Sequence, residues 1–290
     1  MKTFESNILN IYGERGRTWL SELPRVTAEA TERYGLSGLK PVSNLSYHYV
    51  LSGYQDNRPI ILKLGIDVAG LKHEAITLKA FAGFGAVEVL SEGNGVLLLE
   101  RAVPGNSLKS YFPSKDEEAI QIICDVMDRL HQALLPMSGF SHIEDWLMVL
   151  DKEWDIPVDY LQKARTLRDE LLATSTEPVL LHGDLHQDNV LQQGDGWLVI
   201  DPKGVLGEPA YEVAAFIRNP ISEISSIKNM NNLFQKRIAS FAKTLRLDPN
   251  RIQDWCFVQA ILAWVWVLED GSGDAAIFKH LAKILDSLEK

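Results

Sequence analysis

Asp184, Asn189 and Asp201 are the residues in this 290-residue chain whose types and spacing could do chemistry. The first two lie in Leu180-Leu181-His182-Gly183-Asp184-Leu185-His186-Gln187-Asp188-Asn189, and the third ends the apolar run Trp197-Leu198-Val199-Ile200. Val179 to Leu181 leads into the polar stretch, and Gly194-Asp195-Gly196 reads as a hairpin turn. The order is therefore strand, polar loop, strand, turn, strand, acid. Phosphoryl transfer needs a carboxylate that takes or orients a hydroxyl proton, together with two oxygen ligands for magnesium. Asp184 suits the first role, and Asn189 with Asp201 the second. A rival reading is a metallohydrolase, because His182, Asp184, His186 and Asp188 alternate and His with Asp can hold a transition metal. Two features weigh against it. The other histidines (His48, His73, His131, His142 and His280) are scattered singly, and Asn189 suits magnesium rather than zinc.

Asn189 follows Asp184 at the D-x-x-x-x-N spacing of kinase catalytic loops, and Asp201 stands at a strand end, where the kinase metal-binding Asp sits. His182-Gly183-Asp184-Leu185-His186-x-x-Asn189 followed by Ile200-Asp201-Pro202 resembles the aminoglycoside phosphotransferase and choline kinase superfamily. Asp201-Pro202-Lys203-Gly204, Gly207 through Ala214, and Leu268-Glu269-Asp270-Gly271 resemble its streptomycin and hydroxyurea phosphotransferase branch. The resemblance implies an α+β, two-lobed, protein-kinase-like fold with a small antiparallel-sheet N-lobe and a mainly helical C-lobe. It implies transfer of the γ-phosphoryl group of ATP (or GTP), with Mg2+, to a hydroxyl of an aminoglycoside such as streptomycin. A sugar or choline-like acceptor is the alternative within the class. An inactive nucleotide-binding protein is the alternative outside it, and the intact Lys63, Asp184, Asn189 and Asp201 argue against that.

Lys63 stands in the apolar run Ile60-Ile61-Leu62-Lys63-Leu64, where an unpaired charge is costly. Glu74 lies on the next helix, three residues from Leu71 and four from Leu78, beside its buried face. Lysine on a strand and glutamate on the following helix form the kinase device that holds the nucleotide phosphates. The alternative is that Lys63 snorkels from an edge strand and Glu74 is solvated. No G-x-G-x-x-G precedes Lys63. Ser43-Asn44-Leu45-Ser46-Tyr47-His48 occupies that place, so Ser43 and Ser46 with backbone N–H groups are the candidates for phosphate contact. By the resemblance, ATP lies under residues 43 to 48, and Glu100 and Ala102 meet the adenine edge through the main chain. His182 and His186 support the loop, and Glu212 holds it from the next helix. Acids near the C-terminus, Glu269 and Asp270, with Asp151 and Asp155 from an inserted segment around Trp154, face a cationic or hydroxyl-rich acceptor.

The chain is long enough for two lobes, drawn here as residues 1–102 and 103–290 with a hinge near 100 to 105. A formal net charge of −10 disfavours nucleic acid as a partner and is compatible with a cationic small molecule. The two cysteines, Cys124 and Cys256, sit in apolar helical patterns and read as buried thiols. The polar and charged residues among the first twenty are unlike a signal peptide, and Trp255 to Leu268 is too short and too interrupted to cross a bilayer, so a cytoplasmic protein is expected. Residues 5–34 read as two helices broken at Pro24. Short strands follow at 47–51, 59–64, 87–90 and 95–100, around a helix at 67–81. Helices are then expected at 116–134, 158–172, 208–218, 233–245, 251–268 and 275–288.

Overall fold

The computed structural model describes residues 2–135, 138–224, 226–271 and 275–288. The chain forms two compact units, residues 1–105 with 192–200, and residues 106–191 with 201–290.

The first unit opens with α1 (Lys2–Tyr34). Two helical arms were expected, and two are present, but the break is at Gly13 rather than at Pro24. Gly13 takes φ +53°, a conformation that L side chains resist, and the chain reverses there so sharply that a Cβ on Gly16 would strike the Ile8 carbonyl. Pro24 is carried within the second arm. Next come β1 (Leu36–Pro41), β2 (Tyr49–Gln55), β3 (Arg58–Leu64), α2 (Val68–Ala80), β4 (Val89–Gly93) and β5 (Val96–Glu100). The five strands pair antiparallel in the order β1-β2-β3-β5-β4. The β2–β3 connection is shorter than expected: β2 runs on to Gln55 and only Asp56 and Asn57 make the turn, with Asp56 at φ +52°.

Strand alternation divides the core of this unit in two. Ile60, Leu62 and Leu64 pack against Phe4, Ile8 and Leu23 of α1. Ile61, Leu97 and Leu99 face the other way, onto Leu71, Ala75 and Leu78 of α2. Lys63 shares its parity with Ile61, so the pleat itself turns it toward α2.

The rest of the chain forms β6 (Pro104–Ser107), α3 (Asp116–Leu130), α4 (Ile143–Leu147), α5 (Val158–Ala173), β7 (Val179–Leu181), β8 (Val190–Gln193), β9 (Gly196–Val199), β10 (Val205–Gly207), α6 (Pro209–Ile217), α7 (Ile221–Ile224), α8 (Met230–Leu245), α9 (Pro249–Asp270) and α10 (Ala275–Ser287); β9 lies in the first unit, β6 and β8 run across the boundaries, and the others lie in the second unit. β7 pairs with β10, and β6, β8 and β9 form a small sheet. α3 stops four residues short of its expected end, and Leu134 is exposed. Both cysteines are free and buried, and burial pushes the Cys256 thiol up to about 12. Among the described residues no helix is long and apolar enough to cross a membrane.

Candidate active site

The polar loop after β7 is built by its own backbone. Gly183 takes φ +81°, and a Cβ there would lie 2.9 Å from Trp146 Cη2 and 3.2 Å from Lys203 Cβ, so only glycine fits. The amides of Lys203 and Gly204 both donate to the His182 carbonyl, at 2.7 and 3.1 Å. That contact brings the segment following Asp201 against the loop. Asp201 is itself left-handed at φ +57°, which aspartate tolerates better than most residues but at some cost in strain.

Two histidines shape the loop in the same way. The Asp184 amide donates to His182 Nδ1 and the Asp188 amide to His186 Nδ1, each at 3.2 Å. With Nδ1 accepting, His186 carries its proton on Nε2, which stands 3.7 Å from the Asp184 carboxylate. Asn189 Nδ2 donates to the Asp184 carbonyl at 2.9 Å, which leaves Asn189 Oδ1 as the acceptor end of the amide. Buried Glu212 on α6 accepts from the backbone amides of His182 (2.6 Å) and Gly183 (2.9 Å).

Burial disfavours a charge on Asp184. The nearby Nε2–H of His186, with the positive fields of Arg218 and Lys203, outweighs it and holds the carboxyl well below the usual carboxylate range. The side chain stays about one-third accessible, so an ionised carboxylate is presented rather than sealed in.

Several residues that pattern reading passed over hold this loop. Fully buried Arg237 forms a bidentate pair with Asp116, at 2.7 and 2.8 Å, and donates to the carbonyls of Phe216, Ile217 and Asn219. The Gln187 side chain donates to the same Asn219 carbonyl at 2.9 Å. Ser107 Oγ donates to the Gln187 carbonyl, and Lys109 lies 3.6 Å from Asp188 and 2.9 Å from Glu223. One signal was present in the sequence: Arg237 sits on the apolar face of α8, three residues from Phe234 and four from Phe241, where a charge needs a partner.

In the first unit, Lys63 Nζ and Glu74 Oε2 are 2.7 Å apart and both side chains are buried, so Lys63 is neither at an edge nor solvated. Ser43 and Ser46 lie in the exposed β1–β2 connection, where the Ser46 carbonyl accepts from Asn7. The Glu100 carboxylate accepts from the Glu88 amide at 2.8 Å, and Ala102 is buried.

The acids grouped as acceptor contacts are more dispersed. Asp151 pairs with Arg168 at 2.7 Å, and exposed Asp155 lines a groove of about 460 Å³ with Trp264, Leu268 and Lys279. Exposed Glu269 lies 3.7 Å from Lys152, and Asp270 closes α9 with its side chain outside the described residues.

The family model for aminoglycoside/hydroxyurea antibiotic resistance kinases matches residues 39–271. The chain belongs to this family. A streptomycin 3''-kinase of Klebsiella pneumoniae is 31% identical over 236 residues, covering 77% of this chain and 85% of the relative. A streptomycin 6-kinase of Streptomyces griseus is 26% identical and covers 89% and 87% of the two chains. In structure, the kinase is similar to aminoglycoside phosphotransferase APH(4)-Ia, with a TM-score of 0.69, 18% identity and coverage of 91% and 99%. The kinase-like fold expected from the loop motif is therefore present. The chain is a small-molecule phosphotransferase that acts on an alcohol group.

Proposed function

We propose that the kinase transfers the γ-phosphoryl group of ATP, or of GTP, to a hydroxyl of a streptomycin-type aminoglycoside. The observation that carries the chemistry is the accessible, ionised Asp184, on a backbone whose amides at His182, Gly183, Asp184 and Asp188 are bonded by side chains and whose Asp184 carbonyl accepts from Asn189. The acceptor comes from the relatives, which are named for streptomycin.

In this reading Asp184 accepts a hydrogen bond from the acceptor hydroxyl and aims its oxygen at the γ-phosphorus. The new O–P bond forms as the bond to the nucleotide diphosphate breaks, and the hydroxyl proton passes to Asp184. A carboxyl held at low proton affinity is a weak base. That suits a loose transition state, in which orientation matters most and the proton leaves late. His186 Nε2–H steadies the carboxylate. Lys63, braced by Glu74, takes the nucleotide phosphates, and Ser43, Ser46, Glu100 and Ala102 are the further nucleotide contacts. Asn189 Oδ1 and the Asp201 carboxylate are hard oxygen donors of the kind magnesium takes, and would hold it. Bound there, magnesium neutralises charge on the phosphates. His182 and His186 bind backbone amides through Nδ1, an arrangement that serves loop support rather than a zinc centre.

Replacing Asp184 separates catalysis from binding. Asp184→Asn should lower streptomycin phosphorylation at least about 100-fold while leaving nucleotide affinity nearly unchanged. Asp201→Asn should also weaken magnesium-nucleotide binding. Transfer of labelled γ-phosphate and titration calorimetry measure the two effects. Phosphorylation by Asp184→Asn at near the parent rate would remove Asp184 from its role.

A further inference from the structure

Trp146 and Trp266 lie beside the catalytic loop, and neither is needed by the phosphoryl-transfer machinery described above. α4 starts in a capping box, with the Glu144 amide on His142 Nδ1 and the Asp145 carboxylate on the His142 amide. Its entry is stitched to β10 by the Leu206 amide donating to the Ser141 carbonyl, and β10 pairs with β7, the strand that feeds the loop. Trp146 is therefore fixed with its ring edge against Gly183, the residue before Asp184. Trp266 on α9 meets Trp146 edge to face, with centroids 6.0 Å apart and planes at 75°. It remains 38% exposed, although α9 is otherwise largely buried from Ile252 to Val265. Glu269 follows one helical turn on, on the same face of α9, and its side chain is 40% exposed.

An aromatic plane with a carboxylate one turn away is a receptor for one kind of cation. Tryptophan gives the strongest cation–π attraction of the aromatic side chains. A guanidinium is flat and weakly hydrated, stacks on a ring and can bond a carboxylate with two parallel N–H groups, whereas a strongly hydrated ammonium gains less from the ring. The present neighbour of Glu269, Lys152, is two-thirds exposed and 3.7 Å away, a surface pair of little worth that a better-fitting cation displaces. We propose that Trp146, Trp266 and Glu269 form a subsite that binds a guanidinium group of the acceptor and so sets which hydroxyl comes to Asp184. The proposal rests on the acceptor reading above and deepens it, by naming the guanidinium groups of a streptomycin-type acceptor as what these residues hold.

Binding and turnover with Trp266→Leu, Trp266→Phe and Glu269→Gln test it, using streptomycin, methylguanidinium and methylammonium as probes. Trp266→Leu should raise the KM and Kd for streptomycin about tenfold, Trp266→Phe should recover part of that loss, and Glu269→Gln should act in the same direction as Trp266→Leu. In the parent enzyme methylguanidinium should compete with streptomycin and methylammonium should not, and intrinsic tryptophan fluorescence should respond to the former. The nucleotide-induced rise in melting temperature reports that each variant is folded. The subsite is overturned if Trp266→Leu and Glu269→Gln bind streptomycin like the parent, if methylammonium competes equally well, or if methylguanidinium does not bind. A parent enzyme that binds methylguanidinium through Trp266 but does not phosphorylate streptomycin would refute the acceptor reading and leave the subsite standing.

Discussion

Lys63 is a charge placed where charges are expensive, between Leu62 and Leu64 in the middle strand of a sheet, and it persists because Glu74 meets it at 2.7 Å. Removing either partner leaves the other buried, which costs about 3–5 kcal/mol in such pairs. Lys63→Ala and Glu74→Ala should each weaken nucleotide binding and lower stability. In a double-mutant cycle the two losses should be strongly non-additive, and additive losses would show that the two do not act as a unit. Asp184 gives a pH signature. Its carboxyl titrates lower in the folded chain than unfolded, so the stability it adds is fully present above the unfolded carboxylate value of about 3.9 and is lost as pH falls through the depressed folded value. The stability advantage of the parent over Asp184→Asn in urea denaturation should thus be flat from pH 8 to about pH 5, and narrow only in more acid solution. An advantage that already shrinks between pH 7 and 6 would contradict the depressed pKa.

At the scale of elements, the loop is held less by its own strand than by what packs behind it. α8 sends Arg237 into the interior, where it joins Asp116 at the start of α3 to the carbonyls that end α6, and Gln187 shares one of those carbonyls. Arg237→Ala would take the bidentate partner from Asp116 and a donor from each of three carbonyls, of which those of Phe216 and Asn219 keep Gln187. It should cost about 3–5 kcal/mol in urea denaturation. Arg237→Lys should recover only part, because an ammonium cannot reproduce the bidentate fork. A variant as stable as the parent would show that this network does not hold the loop.

At the scale of the molecule, the Lys63–Glu74 pair and the loop that carries Asp184 belong to different compact units, and the chain passes between these units at 105/106, 191/192 and 200/201. Anything that binds only the folded form raises its melting temperature by mass action. Under the proposed ligand assignment, ATP at about one hundred times its Kd should add about 2.7 kcal/mol, a shift of several degrees, only with magnesium present. Equal shifts with and without magnesium would argue against Asn189 and Asp201 as metal ligands.

The chemistry was legible in the sequence because it depends on short-range spacing. Asp184 and Asn189 share one loop, Asp201 closes the apolar run that follows, and Lys63 and Glu74 sit on consecutive elements, so short motifs and the family resemblance they carry were enough to propose them. The short strands and the later helices followed from local periods, and the antiparallel sheet from the resemblance. The tertiary structure decided what depends on residues far apart in the chain. Val199 bonds to Gly85 and Val87 across more than one hundred residues, which returns 192–200 to the first unit, and no local pattern encodes that pairing. The break in α1 fell at Gly13 because the fold needed a left-handed residue there, while Pro24, the stronger sequence signal, was accommodated within the helix. The acids near Asp151 and Glu269 looked alike as sequence. Only packing set them apart, by giving Asp151 to Arg168 and placing Glu269 one turn from an exposed tryptophan whose neighbour touches the glycine before Asp184.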